Sequence, residues 1–209
     1  MKNCLLYAVL LLSLLGFNCK KYKKNYHIGT LGDSITKGSE QANYPNELKA
    51  LIPDKDSVTN YGVAGTCLVK NCFAPIWDTE AFAHLLKDQP DIIIVMLGTN
   101  DAHFKNFGVR QNFERDYREL LDLLQNLDTD PRLVLCYPPP YYENNPVGDS
   151  LVRTELIPII DKVAADYHLQ VVDTHYKVDD YPAHYPDKLH PNREGALTLA
   201  TIIAEALNL

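Results

Sequence analysis

The sequence predicts an α/β fold, a three-layer α/β/α sandwich, and three features carry that expectation. Runs rich in β-branched and aliphatic residues alternate with runs of helical periodicity from about residue 26 to the end, the pattern of a mostly parallel sheet covered by helices. One run, Ile92-Ile93-Ile94-Val95-Met96-Leu97, is apolar at every position, as a central parallel strand buried on both faces must be. The chemically unusual residues fall just after β-prone runs rather than before them, and in such sheets ligands bind outside the carboxyl ends of the strands.

Taken in order, residues 1–18 read as an export signal, with Lys2 in front, an apolar run from Leu5 to Leu15, then Gly16-Phe17-Asn18-Cys19. The run falls short of the roughly 20 apolar residues that span a bilayer. Leu15 followed by Cys19 suggests a bacterial lipoprotein processing site, with Cys19 the first mature residue and the point of lipidation. Asn18 stands where a small residue is usual, so ordinary signal cleavage nearby is the alternative. Residues 19–25 form a tether whose Lys20, Lys21, Lys23 and Lys24 either touch lipid headgroups or stay solvated. The expected location is therefore outside the cytoplasm, lipid-anchored in a bacterial periplasm or at the cell surface.

Residues 26–209 suit one domain, since no linker and no internal repeat divides them. Strands are expected over 26–31, 57–61, 91–97, 132–137 and 169–173. Helices are expected over 45–52, 79–87, 112–127, 151–167 and 193–207. The clearest is 112–127, where Phe113, Tyr117, Leu120, Leu121, Leu124 and Leu127 recur at helical spacing. Pro158 should kink the fourth helix or restart it, and Asn192 is a good cap for the last.

A net charge of −7 argues against nucleic acid as a partner. Cys4 leaves with the signal and Cys136 reads as a buried strand residue. Cys67 and Cys72 lie close together in a loop, and export would place them in an oxidising compartment where a bridge between them is plausible. No zinc-type spacing appears, and no cofactor is expected.

Four segments should meet at one edge of the sheet: Gly32-Asp33-Ser34, the run 60–65 ending in Gly65, Gly98-Thr99-Asn100-Asp101, and Asp187-Lys188-Leu189-His190. Each alone is an ordinary turn or cap. Together they supply what acyl transfer by serine needs: a nucleophile, a base, a group orienting that base, and donors for the developing oxyanion. Ser34 is the nucleophile candidate and His190 the base. Asp187, three residues earlier, would reach the imidazole across one helical turn. The N–H groups of Ser34 and Gly65 and the amide of Asn100 would form the oxyanion hole. Asp173 and His175 are the competing acid and histidine pair, also just after a strand. Asp33 and Asp101 read as setters of turn geometry, His27, His84 and His168 as structural or exposed, and His103 and His184 as rim residues.

In these blocks the chain resembles the SGNH or GDSL-type hydrolases, whose four blocks match in order over essentially the whole mature chain. The resemblance implies a flavodoxin-like sheet of order 2-1-3-4-5 and metal-independent ester hydrolysis. The Gly-x-Ser-x-Gly elbow of α/β-hydrolases is not met, because Thr36 occupies its last position. Cys67 and Cys72 are an addition to the family pattern.

The substrate is less legible. Trp77, His103, Tyr141, Tyr142 and Tyr185 are wall candidates that could stack on sugar rings or simply pack their loops. The chain has no long apolar lid segment, and an exported hydrolase with this face looks most similar to carbohydrate O-acetylesterases. A lysophospholipase or thioesterase of the same family is the alternative enzyme, and a non-catalytic glycan-binding lipoprotein the alternative of a different class.

Overall fold

The computed structural model describes residues 25–106, 108, 110–140, 142, 146–178 and 182–208. The expected signal, the lipidation site Cys19, most of the tether and the wall candidate Tyr141 lie outside the described residues.

Five parallel strands form one sheet in the order β2-β1-β3-β4-β5. They are β1 (His27–Gly32), β2 (Ser57–Gly62), β3 (Ile92–Met96), β4 (Arg132–Cys136) and β5 (Gln170–Val172). Each expected strand is present, with ends that differ by at most one residue. The register decides where chemistry can gather: Gly32 at the end of β1 lies opposite both Gly62 of β2 and Met96 of β3. Three loops therefore leave the sheet at one level.

The helices are α1 (Ser34–Lys37), α2 (Tyr44–Leu51), α3 (Glu80–Asp88), α4 (Phe113–Gln125), α5 (Pro146–Leu151), α6 (Ile157–Asp166) and α7 (Arg193–Leu207). Alternate residues of β3 feed two separate cores, because successive side chains of a strand point to opposite faces. Ile93 and Val95 pack with Leu85 of α3, Tyr117 and Leu121 of α4 and Ile160 of α6. Ile92, Ile94 and Met96 pack with Tyr44 and Leu48 of α2 and Leu199 and Ile203 of α7. All five β3 residues are buried, and each such aliphatic side chain contributes about 1.5–3 kcal/mol.

Of the two outcomes expected at Pro158 the restart occurs: α5 passes into a π-helical stretch, Val152–Leu156, and α6 begins anew at Ile157 with Pro158 in its first turn. There the Ile157 N–H reaches back to the Val152 carbonyl. Pro158 has no N–H to offer Thr154 and its ring crowds that carbonyl, so a wider turn accommodates it. A departure from expectation is α1, a helix where a turn is expected.

Candidate active site

A four-residue helix has too few hydrogen bonds to stand alone, and α1 is held by its surroundings. Asp33 caps it, Oδ1 accepting from the Ile35 N–H at 2.9 Å. At its other end Asn60 donates to the Thr36 and Lys37 carbonyls at 2.9 and 3.1 Å, and Asn43 donates to Lys37 at 2.8 Å. The orphan carbonyls of the last turn are thus satisfied from β2 and from the loop before α2. Ser34 is the first helical residue, so its N–H has no intrahelical acceptor and points where negative charge is favoured.

His190 arrives from the loop preceding α7. Its Nε2 accepts from the Ser34 hydroxyl at 2.9 Å and its Nδ1–H donates to Asp187 Oδ2 at 2.7 Å. Because a carboxylate only accepts, the contact with Asp187 places the proton on Nδ1 and leaves Nε2 free to take the serine proton. The segment is not the helical turn that the spacing suggests. Lys188 is left-handed at φ 67°, and Asp187 Oδ1 accepts from the N–H groups of Leu189 and His190 at 3.0 and 2.6 Å. An Asx-type turn therefore aims the carboxylate. Burial pushes the Asp187 carboxyl up, but its bonds from the His190 ring and from the two N–H groups outweigh that and hold it below the usual carboxylate range.

Beyond β2 the chain turns through Gly65, at φ 80°, where an added Cβ would meet no atom within 4 Å. Backbone conformation rather than space calls for glycine there. Beyond β3, the Asn100 amide donates one hydrogen to the Thr66 carbonyl at 2.9 Å, leaving its second for another acceptor. Asp101 is fully buried and accepts from the N–H groups of Leu68 and Val69 at 3.0 and 2.9 Å. Burial pushes the Asp101 carboxyl up to about 7 against those two bonds, with repulsion from Asp33 adding to it. Burial likewise pushes Asp33 up to about 6, opposed by the Ile35 N–H, the Thr99 side chain and the His190 charge. Cys67 and Cys72 are joined by a disulfide, Cα to Cα 6.4 Å, within the loop that follows Gly65. Among the described residues no group of three or more His, Cys, Asp or Glu is placed to hold a metal ion.

A cavity of about 290 Å³ opens at Ser34 and His190, lined otherwise by Lys37, Gly38, Ser39, Ala42, Ala64 and Pro191. Of the described wall candidates, Trp77, His103, Tyr142 and Tyr185, none is among its lining residues. Tyr185 is fully buried in the core beneath α2 and α7, a correction that follows from its ring completing that core. Trp77 donates to the Leu68 carbonyl at 2.7 Å and packs edge-on against Phe82. Tyr142 stands against Tyr185, its N–H donating to Lys188 at 2.7 Å, so it braces the His190 loop. His103 meets the ring of Phe73, a half-exposed aromatic that the sequence does not single out. His175 is buried, with Nδ1 2.8 Å from the Pro138 carbonyl and Nε2 3.7 Å from Asp149, so the competing pair is engaged elsewhere. The small residues of the α1–α2 loop that do line the cavity carry no sequence signal, being chemically silent until folded.

Comparison with known proteins places this geometry in a wider group. A family model described as GDSL-like Lipase/Acylhydrolase family matches residues 30–197. An acetylxylan esterase from Xylanibacter ruminicola is 28 % identical over 204 residues, covering 86 % of this chain and 42 % of that protein. The chain thus spans about two-fifths of the length of that curated relative. Among solved structures, a carbohydrate acetylesterase from Sinorhizobium meliloti superposes with a TM-score of 0.70 at 15 % identity, covering 88 % of this chain and 98 % of the other. An acetylxylan esterase from Geobacillus stearothermophilus gives 0.66 at 19 %, covering 88 % and 94 %. At such identities the two structures share the fold.

Proposed function

The chain belongs to the GDSL-like lipase/acylhydrolase family, and from that premise we propose that it is a serine esterase releasing short acyl groups, acetyl above all, from carbohydrate carriers. The observation that carries the reading is the unbroken hydrogen-bonded line from Ser34 Oγ through His190 to Asp187. In it, Ser34 Oγ attacks the ester carbonyl as its proton passes to His190 Nε2. The carbonyl oxygen, now negative, is held by the N–H groups of Ser34 and Gly65 and by the free hydrogen of the Asn100 amide. The tetrahedral centre collapses as the ester bond breaks, and the imidazolium returns the proton to the departing alcohol. Water then attacks the acyl-serine by the same route and releases the carboxylic acid. Asp187 keeps the imidazole in the productive tautomer and stabilises its charged form.

Two features support a short acyl group on a sugar. Apart from Ser34 and His190 the cavity is lined by Lys37, Gly38, Ser39, Ala42, Ala64 and Pro191, so no large aliphatic or aromatic side chain is among its lining residues. Relatives in sequence and in fold carry the names acetylxylan esterase and carbohydrate acetylesterase. The export reading is part of the proposal: an amino-terminal Cys19 bearing an acyl group, detected by mass spectrometry of native protein, would support the anchor.

The test is turnover of acyl esters of increasing length and release of acetate from acetylated glycans. Acetyl esters should be cleaved and octanoyl esters left nearly untouched, with Ser34→Ala lowering kcat by several orders of magnitude while the fold persists. Undiminished hydrolysis by Ser34→Ala rejects the mechanism. A preference for octanoyl esters rejects the carbohydrate reading and leaves a lysophospholipase or thioesterase.

A further inference from the structure

The loop carrying the disulfide and the loop carrying Asn100 are stitched together more tightly than a turn requires. Asn106, only 1 % exposed, is the central stitch. Its amide nitrogen donates to the Asn100 carbonyl at 2.7 Å and contacts Cys67 Sγ at 3.5 Å, while its Oδ1 accepts from the Phe73 N–H at 3.3 Å. One buried side chain thus touches the proposed oxyanion donor's backbone, a disulfide sulfur and the residue just past the disulfide. Cys67 is fixed in turn by main-chain bonds to both sides of Pro75, its N–H donating to Ala74 at 3.0 Å and its carbonyl accepting from Ile76 at 2.9 Å. The residue before Cys67 is Thr66, whose carbonyl receives the Asn100 amide.

We infer that Asn106 and the Cys67–Cys72 bridge are positioning residues for the oxyanion hole, setting where the Asn100 amide stands relative to Ser34. The inference rests on the esterase reading of the site. Its logic is geometric. An asparagine amide has two hydrogens; when Thr66 holds one, the direction of the other is set by the location of the Thr66 carbonyl and the Asn100 backbone. The bridge closes the ring containing residues 67–72 beside that carbonyl, and Asn106 ties the Asn100 backbone to the same ring. Oxyanion donors act only if they are aimed at the transition-state oxygen before the reaction, and a displacement of about 1 Å can lower rate 10²-fold. Loosening the ring should therefore be felt in the transition state and hardly in ground-state binding, because the ring does not line the cavity where the carrier would sit.

The experiment is a double-mutant cycle on the full chain with p-nitrophenyl acetate, active enzyme being counted by fluorophosphonate titration. Asn106→Ala, and separately the paired replacement Cys67→Ser with Cys72→Ser, should lower kcat about 10-fold, less than the 10²–10³-fold expected for removing an oxyanion donor outright, with KM changed less than about twofold. In an Asn100→Ala background the same replacements should have almost no further effect on kcat, since the group they position is gone. A loss that multiplies in full on the Asn100→Ala background would overturn the inference, as would a change in KM with kcat unaltered, or no change at all. Should the cysteine pair variant fail to fold, Asn106→Ala decides by itself. A wild-type chain without turnover overturns the esterase reading and this inference together, whereas turnover that falls with Asn100→Ala but not with Asn106→Ala overturns the positioning role alone.

Discussion

His190 and Asp187, the proposed base and its orienting acid, have side chains that are 44 % and 57 % exposed. Water can therefore partly replace a missing carboxylate, which ranks two substitutions that a buried site would not separate. Asp187→Ala lets solvent receive the Nδ1–H, whereas Asp187→Asn offers an amide donor that drives the proton to Nε2 and spoils the base. We expect kcat for p-nitrophenyl acetate to fall further in the asparagine variant, by about 10³–10⁴-fold, and the opposite ranking would refute the tautomer argument. Asp33 governs a different property. Its folded carboxyl sits at about 6 against an ordinary 3.8, so between those pH values the folded state holds more protons than the unfolded one. Unfolding free energy then falls as pH rises through that window, by about 3 kcal/mol for a two-unit shift. Asp101, at about 7, acts in the same direction. Asp187, whose carboxyl is held low, acts oppositely and below the ordinary carboxylate range. Asp33→Asn keeps an oxygen for the Ile35 N–H, since asparagine caps as well as aspartate. Urea midpoints at pH 5 and 7 should accordingly lie closer together in Asp33→Asn than in the wild type, and an unchanged gap would show that Asp33 is not the source.

At the scale of elements the decisive one is α1, because it carries Ser34, the proposed nucleophile, and owns almost no stability. An added Cβ on Gly62 would lie 2.3 Å from the Lys37 nitrogen and 2.7 Å from the Thr36 carbonyl carbon, so β2 admits α1 only where it has no side chain. Gly62→Ala should push α1 off β2, costing about 1–3 kcal/mol and lowering kcat as Ser34 leaves His190. A variant that keeps both the urea midpoint and kcat of the wild type would mean that the helix can shift harmlessly. This dependence also explains what the sequence displayed and what it hid. The apolar run of β3 and the heptad-like spacing of α4 are patterns of many residues, so they survive in a one-dimensional reading. A four-residue helix has too few positions for a period. The acid's reach to His190 resembles helical spacing because the two stand three positions apart, but a left-handed Lys188 lets an Asx-type turn place the carboxylate instead. Ser34, Asn100 and His190 could be named in advance since each is the reactive type in its block. Gly38, Ser39 and Ala42 could not, since a cavity wall of small residues is defined by what it leaves empty.

For the whole molecule, the parallel sheet does two things at once: it delivers three loops to one edge through a common register, and it divides the interior into two cores. The site is built on loops from β1, β2 and β3 and on the approach to α7, so its geometry requires both faces of the sheet to be packed. The cores are joined through the strands, whose residues alternate between them. If that coupling is strong, the domain unfolds as one unit although the two cores are separate clusters of side chains. Trp77 is the single tryptophan and packs on the α3 and α4 side, so its fluorescence reports that face alone, while far-ultraviolet circular dichroism reports all elements. Leu199→Ala opens a cavity on the far side, under α7, and Leu121→Ala opens one on the side of Trp77. Each should cost about 2–5 kcal/mol, and their sum should hold in the double variant within about 0.5 kcal/mol because no contact is shared. The informative result is where the tryptophan transition of Leu199→Ala falls: it should move to lower urea together with the dichroism transition, as two-state unfolding demands. If instead the tryptophan midpoint stays at the wild-type value while dichroism shifts, the two faces melt separately, and the edge that holds Ser34, Asn100 and His190 together would be the weakest part of the fold.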